Sequence, residues 1–182
     1  MQNPQSLSRP IARGKTFDLI LTSMLVALVF VSTMLLNIRI PFFAANGGLV
    51  HLGTAMLFIS AMLFGPKKGA AAGALGMGLF DIMGGWLLWA PITIVARGIQ
   101  GYVVGKVAWS KNRNGTSIGW NIAAAVISIP FMLVVYYIGE AIMFSSFVIP
   151  LASIPGNLIQ NGVGLLIAIP VVVALKKLPY FK

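Results

Sequence analysis

Long apolar runs separated by short polar or glycine-containing turns organise this chain. A bilayer core is about 30 Å thick, so a spanning helix needs roughly 20 mostly apolar residues. Six runs approach that size: Leu19 to Leu36, His51 to Phe64, Ala70 to Leu88, Pro91 to Ala108, Ile118 to Ile138, and Ala152 to Leu175. The pattern predicts an all-α membrane protein with six transmembrane helices. The second run is the shortest, and on length alone a re-entrant segment is its alternative.

The basic residues decide that alternative. If all six runs cross, the polar start, the GPKKG turn (Gly65 to Gly69), the WSKNRNG turn (Trp109 to Gly115) and the KKLPYFK tail share one side. These segments hold Arg9, Arg13, Lys15, Lys67, Lys68, Lys111, Arg113, Lys176, Lys177 and Lys182, with Lys106 just inside a helix end. Eleven of the 13 basic residues then lie together, and the positive-inside rule places both termini in the cytoplasm. Demoting the second run would move Lys67 and Lys68 outside and break this arrangement. Arg39, in the first outer loop, and Arg97 are the exceptions. The expected organisation is a polar cytoplasmic tail over residues 1–16 and one six-helix transmembrane domain over residues 17–182, with no internal repeat or linker. The basic start followed by FFAAN (Phe42 to Asn46) loosely resembles a secretory signal, but the first apolar run exceeds the usual 7–15-residue core of such a peptide.

Composition reinforces the membrane reading. Of 182 residues, 58% are hydrophobic and 9% charged, far from the roughly half-apolar, quarter-charged usage of soluble domains. The net charge of +10 does not indicate a nucleic-acid partner, because the basic residues sit in short clusters between apolar runs and form no polar binding face. Cysteine is missing, which excludes disulfides and thiolate metal sites. No metal-ligand cluster or nucleophile with a suitable base is visible, so the reading is not that of an enzyme.

Three acids remain to be explained. Asp18, at the start of the first helix, is favoured there by the helix dipole. Asp81 in the outer part of the third helix and Glu140 at the outer end of the fifth gather on the other side. Arg97 joins them: counting from Pro91 at about 1.5 Å per residue puts it roughly 9 Å into its helix. An arginine at helix centre costs about 2.5–3.5 kcal/mol on insertion scales, so it should face the bundle interior and have a partner. Asp81 is the expected one. Residues three and four apart share a helix face, which aligns Arg97, Gln100 and Gly101 on the fourth helix. The same spacing aligns Tyr136 with Glu140 on the fifth, and Asn157, Gln160, Asn161 and Gly164 on the sixth. His51 opens the second helix, and Trp86 and Trp89 stand in an outer turn. Together they outline an outer-facing pocket with acids, a base, amides and aromatic rings.

Each feature has a plainer reading. Trp86 and Trp89 suit the interfacial aromatic belt as well as ligand stacking. Asn157 and Asn161 suit hydrogen bonds between helices, and His51 suits an interfacial or hydrogen-bonded role. Asp81 with Arg97 suits a structural pair, and Arg39 a contact with lipid headgroups. Small residues form a second pattern: GAAAGALGMG (Gly69 to Gly78), the Ser23 to Ala27 step, and Ala55, Ser60 and Ala61 let another backbone approach closely. The first three helices therefore read as a packing surface, for a partner or within the bundle, and the last three as the polar half.

With these residues in place, a resemblance emerges. IPFFAANGGLVHLG (Ile40 to Gly53), LFGPKKGAAAG (Leu63 to Gly73) and PITIVARGIQGYVVGK (Pro91 to Lys106), in a six-span chain with a basic cytoplasmic side, resemble the S component of energy-coupling factor (ECF) vitamin transporters. The similarity runs from about Phe17 onward, and is greatest to the hydroxymethylpyrimidine or pyridoxine branch, next to riboflavin S components. The resemblance implies vitamin capture near the outer face by helices four to six, under a lid formed by the first outer loop. It also implies docking of the first three helices on a membrane coupling subunit (EcfT-type) joined to two ATPase subunits (EcfA-type), whose ATP turnover topples the S component within the cytoplasmic membrane. Docking would use Ser23, Ala27, Gly69 and Gly73, with Ser23 standing where the family's Ala-xxx-Ala step has alanine. The chain carries no GxxxxGK[ST] phosphate loop, so no cofactor is expected in it and ATP belongs to the partners.

For the substrate, the expected residues are His51, Asp81, Trp89, Arg97, Gln100, Tyr136, Glu140, Asn157 and Asn161. Trp89 or Tyr136 would stack on the ring while Glu140, Asn157 and Asn161 bond its polar edge. The loop Ile40 to Val50, with Gly47 and Gly48, would close over it. Alternatives are a riboflavin-type S component, an autonomous gradient-driven transporter or channel, and a membrane scaffold without a small ligand.

Overall fold

The computed structural model describes residues 14–35, 37–39 and 49–181. The expected lid segment 40–48, the arginines of the polar start and Lys182 lie outside the described residues, as does the Arg39 side chain. Six helices follow one another: α1 (Lys15–Leu35), α2 (Gly53–Phe64), α3 (Pro66–Met83), α4 (Ala90–Ala108), α5 (Ile118–Phe144) and α6 (Ser153–Leu175). Between α1 and α2, β1 (Asn37–Arg39) and β2 (Leu49–His51) pair antiparallel, with Asn37 opposite His51. Three segments are long and apolar enough to cross a bilayer by themselves: Lys15–Leu35, Ile118–Phe144 and Ile149–Leu175. The fold is the all-α membrane bundle expected.

Several boundaries differ from the sequence expectation, for local reasons. α1 begins at Lys15, inside the expected tail, with Asp18 in its first turn. α3 begins at Pro66, whose fixed φ and missing N–H suit the first helical turn. It stops at Met83 and does not reach Leu88, because Gly84 caps it and Gly85 adopts a φ of 84°. α5 continues past Ile138 to Phe144, where Ser145 turns left-handed. His51 does not open a helix: it ends β2, a hairpin strand that the apolar pattern did not reveal.

The basic segments converge at one end. Lys68 pairs with Asp18, joining the starts of α3 and α1. The Trp109 indole donates to the Met62 carbonyl at 3.0 Å, and Lys176 donates to the Asn114 carbonyl at 2.6 Å. The buried apolar core, including Val29, Leu57, Phe58, Met62 and Met77, adjoins this end. At the other end lie the hairpin, the Gly84 to Trp89 turn and the Ser145 to Ala152 connection.

Close backbone approach holds α3 against α4. A Cβ at Gly69 would stand 2.8 Å from the Gly101 carbonyl oxygen, and one at Gly73 would stand 2.8 Å from that of Arg97. Such spacing is possible only without side chains. Gly69 and Gly73 are thus buried inside the bundle, which corrects their expected place on a partner-facing surface. Ser23 and Ala27, by contrast, are exposed on α1.

Candidate functional site

The seam fixes α4 so that its polar stripe points inward. Thr93, Arg97 and Gln100 fall on one face and are each at most 5% exposed. Arg97 is held by three elements: its Nε donates to the Tyr136 hydroxyl at 3.3 Å, and its Nη1 to Gln100 Oε1 at 2.9 Å and Thr54 Oγ1 at 3.4 Å. Its guanidinium carbon also lies 5.3 Å from the Tyr136 ring centre, within cation–π range.

The expected direct pairing of Arg97 with Asp81 does not occur. Among the described residues the ion pair found is Lys68 with Asp18. Two hydroxyls lie between Arg97 and Asp81 instead: Tyr136 donates to Thr93 Oγ1 at 3.1 Å, and the Thr93 side chain stands beside Asp81. Asp81 is buried, and its Oδ2 has no hydrogen-bond partner among the described residues. A buried acceptor left in that state costs about 1–3 kcal/mol, so it is a position prepared for a donor.

Amides continue the network toward α6. Gln100 Nε2 donates to Asn161 Oδ1 at 2.6 Å, and Asn161 Nδ2 donates to the Asn157 carbonyl at 2.7 Å. One turn away, Gln160 anchors the hairpin: its Oε1 accepts from the His51 amide at 2.8 Å, while its Nε2 donates to the His51 carbonyl at 2.6 Å and Thr54 Oγ1 at 2.8 Å. Nearer the end of the bundle, Ser153 donates to Glu140 Oε2 at 2.7 Å, and Asn157 Nδ2 reaches the Ser153 carbonyl at 3.1 Å. His51 stands in β2, outside the helices. Burial, assisted by the positive charge of Arg97, pushes its imidazole down to about 3, so it is neutral at physiological pH.

Thus Arg97, Gln100, Tyr136, Asn157, Asn161, His51, Asp81 and Glu140 fall within one band of hydrogen-bonded neighbours crossing the bundle. Trp89 borders it, packing on the Ala96, Met132 and Tyr136 cluster with its ring 6.1 Å from that of Phe144. Sequence reasoning omitted Thr54, Thr93 and Ser153, and placed Gln160 on the right face without giving it a role. Thr93 was legible, since it lies one helical turn before Arg97. Thr54 and Ser153 were not, because short hydroxyl residues near helix starts carry no distinct signal.

A membrane helix bundle that buries an arginine, two carboxyl groups and several amides in one band has the makings of a substrate or ion site, which is what such groups mark at membrane depth. A family model described as "ECF-type riboflavin transporter, S component" matches residues 14–177, and the chain belongs to that family. The family is one of transporter components, not enzymes. Among solved structures, one described as the S component of a bacterial ECF transporter superposes with a TM-score of 0.68 at 22% identity, covering 90% of this chain and 98% of that one. Another, the S component for biotin from an ECF-type ABC transporter, gives 0.64 at 18% identity, covering 96% and 100%. At these identities the likeness is one of fold. An uncharacterised protein of Pyrococcus woesei is 42% identical over 77 residues, 42% of this chain. The chain spans about half the length of that relative, at 49%.

Proposed function

We propose that this S component captures a small flat heteroaromatic vitamin or precursor, hydroxymethylpyrimidine or pyridoxine, from the outer side of the cell membrane. It delivers the vitamin by toppling within a complex of a membrane coupling subunit and two ATPases. The observation that carries this reading is the buried band itself. Arg97 and the Gln100–Asn161 pair supply donors and acceptors, Asp81 Oδ2 an acceptor awaiting a donor, and Tyr136 and Trp89 aromatic surface. A ligand of about a dozen heavy atoms held at nanomolar affinity needs about −12 kcal/mol, roughly 1 kcal/mol per atom, close to the ceiling for small ligands. Only a site that satisfies most polar atoms of the ring reaches that value. Riboflavin is the second reading, favoured by the description of the matched family.

Binding of hydroxymethylpyrimidine, pyridoxine and riboflavin to the detergent-purified protein, measured by calorimetry, tests the assignment together with mass spectrometry of molecules released on denaturation. Arg97→Leu is expected to weaken binding about 10- to 100-fold, as loss of a charge-assisted hydrogen bond does, while the bundle stays folded. Unchanged affinity would remove Arg97 from the site. Uptake in vesicles without the coupling module, driven by an ion gradient, would replace the ECF mechanism with autonomous transport.

A further inference from the structure

At the basic end, away from the band, a groove of about 260 Å³ opens between the start of α5 and the end of α6. Its lining combines Lys176 and Lys177 with Thr116, Asn121 and the apolar side chains of Ile118, Val172 and Val173. Three observations point to an anionic ligand with a donor of its own. First, α5 begins here at Ile118, and its N-cap Ser117 makes no side-chain capping bond, so amide donors and the positive end of the helix dipole face this region. Second, Lys177 is exposed and its side chain makes no hydrogen bond or ion pair among the described residues, while Lys176 is partly buried and oriented by the Asn114 carbonyl. Third, Asn121 is 1% exposed and commits its Nδ2 to the Gly115 carbonyl at 2.8 Å, which leaves its Oδ1 buried with no partner among the described residues.

Phosphate oxygens match the lysines and the helix start, but cannot donate to Asn121 Oδ1. A hydroxyl two or three bonds beyond the phosphate can. The apolar walls and the position of the groove at the ends of two bilayer-length helices select an amphiphile, and Ile118, half exposed at the groove, can receive the first methylenes below a headgroup. Nearby, the Arg113 guanidinium stacks 4.2 Å from the centre of the exposed Trp120 ring, an arrangement suited to the headgroup level. We propose that this groove binds the hydroxyl-bearing phosphodiester headgroup of an anionic phospholipid of the phosphatidylglycerol type, from the cytoplasmic leaflet.

The test is native mass spectrometry of the full chain released from micelles containing phosphatidylglycerol, phosphatidylmethanol or phosphatidylcholine. Wild type is expected to retain one phosphatidylglycerol. Phosphatidylmethanol, which keeps the charge but lacks the hydroxyl, should be retained less, and phosphatidylcholine least. Lys177→Gln is expected to lower phosphatidylglycerol retention about tenfold, in line with loss of one charge-assisted contact, whereas Lys67→Gln at the start of α3 leaves it unchanged. Asn121→Leu should abolish the preference for phosphatidylglycerol over phosphatidylmethanol. Equal retention of the three lipids by wild type overturns the proposal without recourse to any variant. So does displacement of bound lipid by inorganic phosphate, which would make the groove a site for the free anion.

Discussion

Replacing Gly101 with alanine tests how the α3–α4 seam supports the polar band. A Cβ at this position would lie 2.5 Å from the carbonyl carbon of Gly69 and 2.9 Å from the amide nitrogen of Ala70. Both are backbone atoms, so neither can swing aside. The Gly69 carbonyl oxygen stands closer still; ordinary contact begins near 3.4 Å, so the helices would have to part by about 1.2 Å, enough to forfeit about half of the dispersion attraction along the seam. Overpacking of this kind costs about 1–3 kcal/mol, and the rigid obstacle places Gly101→Ala in the upper half of that range. For a chain of this size, each kcal/mol shifts the melting temperature by about 2–4 °C, so a fall of roughly 4–12 °C is expected in detergent. Gln100 adjoins the substituted residue and bonds Asn161 at 2.6 Å; binding sites tolerate displacements of only about 0.5 Å, so ligand affinity should fall as well. Gly162→Ala is the control, because nothing lies within 4 Å of its added methyl, and it should stabilise by up to about 1 kcal/mol through the helix propensity of alanine. Melting of Gly101→Ala within about one degree of wild type would refute the rigid-seam argument.

Three further outcomes are expected. Lys68→Gln removes the ion pair with Asp18, whose side chain is 62% exposed, and should alter stability by less than about 1 kcal/mol, as read by thermal unfolding. Ala27→Trp places a bulky ring on the exposed face of α1; it should prevent co-purification with the coupling subunit while leaving vitamin affinity within about twofold, since no band residue lies on α1. His51, held down to about 3 from an ordinary 6.5, takes up a proton more readily in the unfolded chain. Its contribution to stability is therefore complete above pH 6.5 and lost as pH falls toward 3, by up to about 1.4 kcal/mol per pH unit. The difference in melting temperature between wild type and His51→Gln should shrink over that interval, and a constant difference would contradict the assignment.

The helices were legible because membrane solvent enforces the simplest code: apolar runs must be helical to satisfy their own backbone. Their ends were less so, since Pro66 and Gly84 set the limits of α3 through backbone geometry that an apolar count ignores. Helical spacing also grouped Arg97 with Gln100 and Asn157 with Asn161, because side chains three and four apart must share a face. Partners across helices were harder. An attraction between opposite charges suggested Arg97 with Asp81, yet Tyr136 and Thr93 stand between them, and nothing in one-dimensional spacing records the rotation of neighbouring helices. For the glycines of α3, sequence left internal and external packing equally open. Only the position of α4, with Gly101 against Gly69, decides in favour of the interior.

This placement separates two mechanical tasks. α3 packs on α4 and on α1, and its glycines commit one face to α4. Most of the band lies beyond that seam, with side chains from α2, α4, α5 and α6 tied to one another by Arg97, Gln100 and Gln160, and Asp81 of α3 at its edge. Among the described residues α1 contributes no hydrogen bond to it, and it presents Ser23 and Ala27 outward. A partner docking on α1 would thus push on a helix that reaches the ligand only through its packed neighbours α2, α3 and β2, of which α3 is tightly seated on α4. Close-packed interiors transmit displacement as rigid bodies, with little local deformation. Under the proposed toppling mechanism the bundle would reorient as one piece with its ligand still bound. Release would then require a change local to the hairpin, where Gln160 is attached to the His51 backbone. Gln160→Leu should accordingly speed vitamin dissociation more than it slows association, and a stopped-flow measurement in which only the association rate changed would place the gate elsewhere.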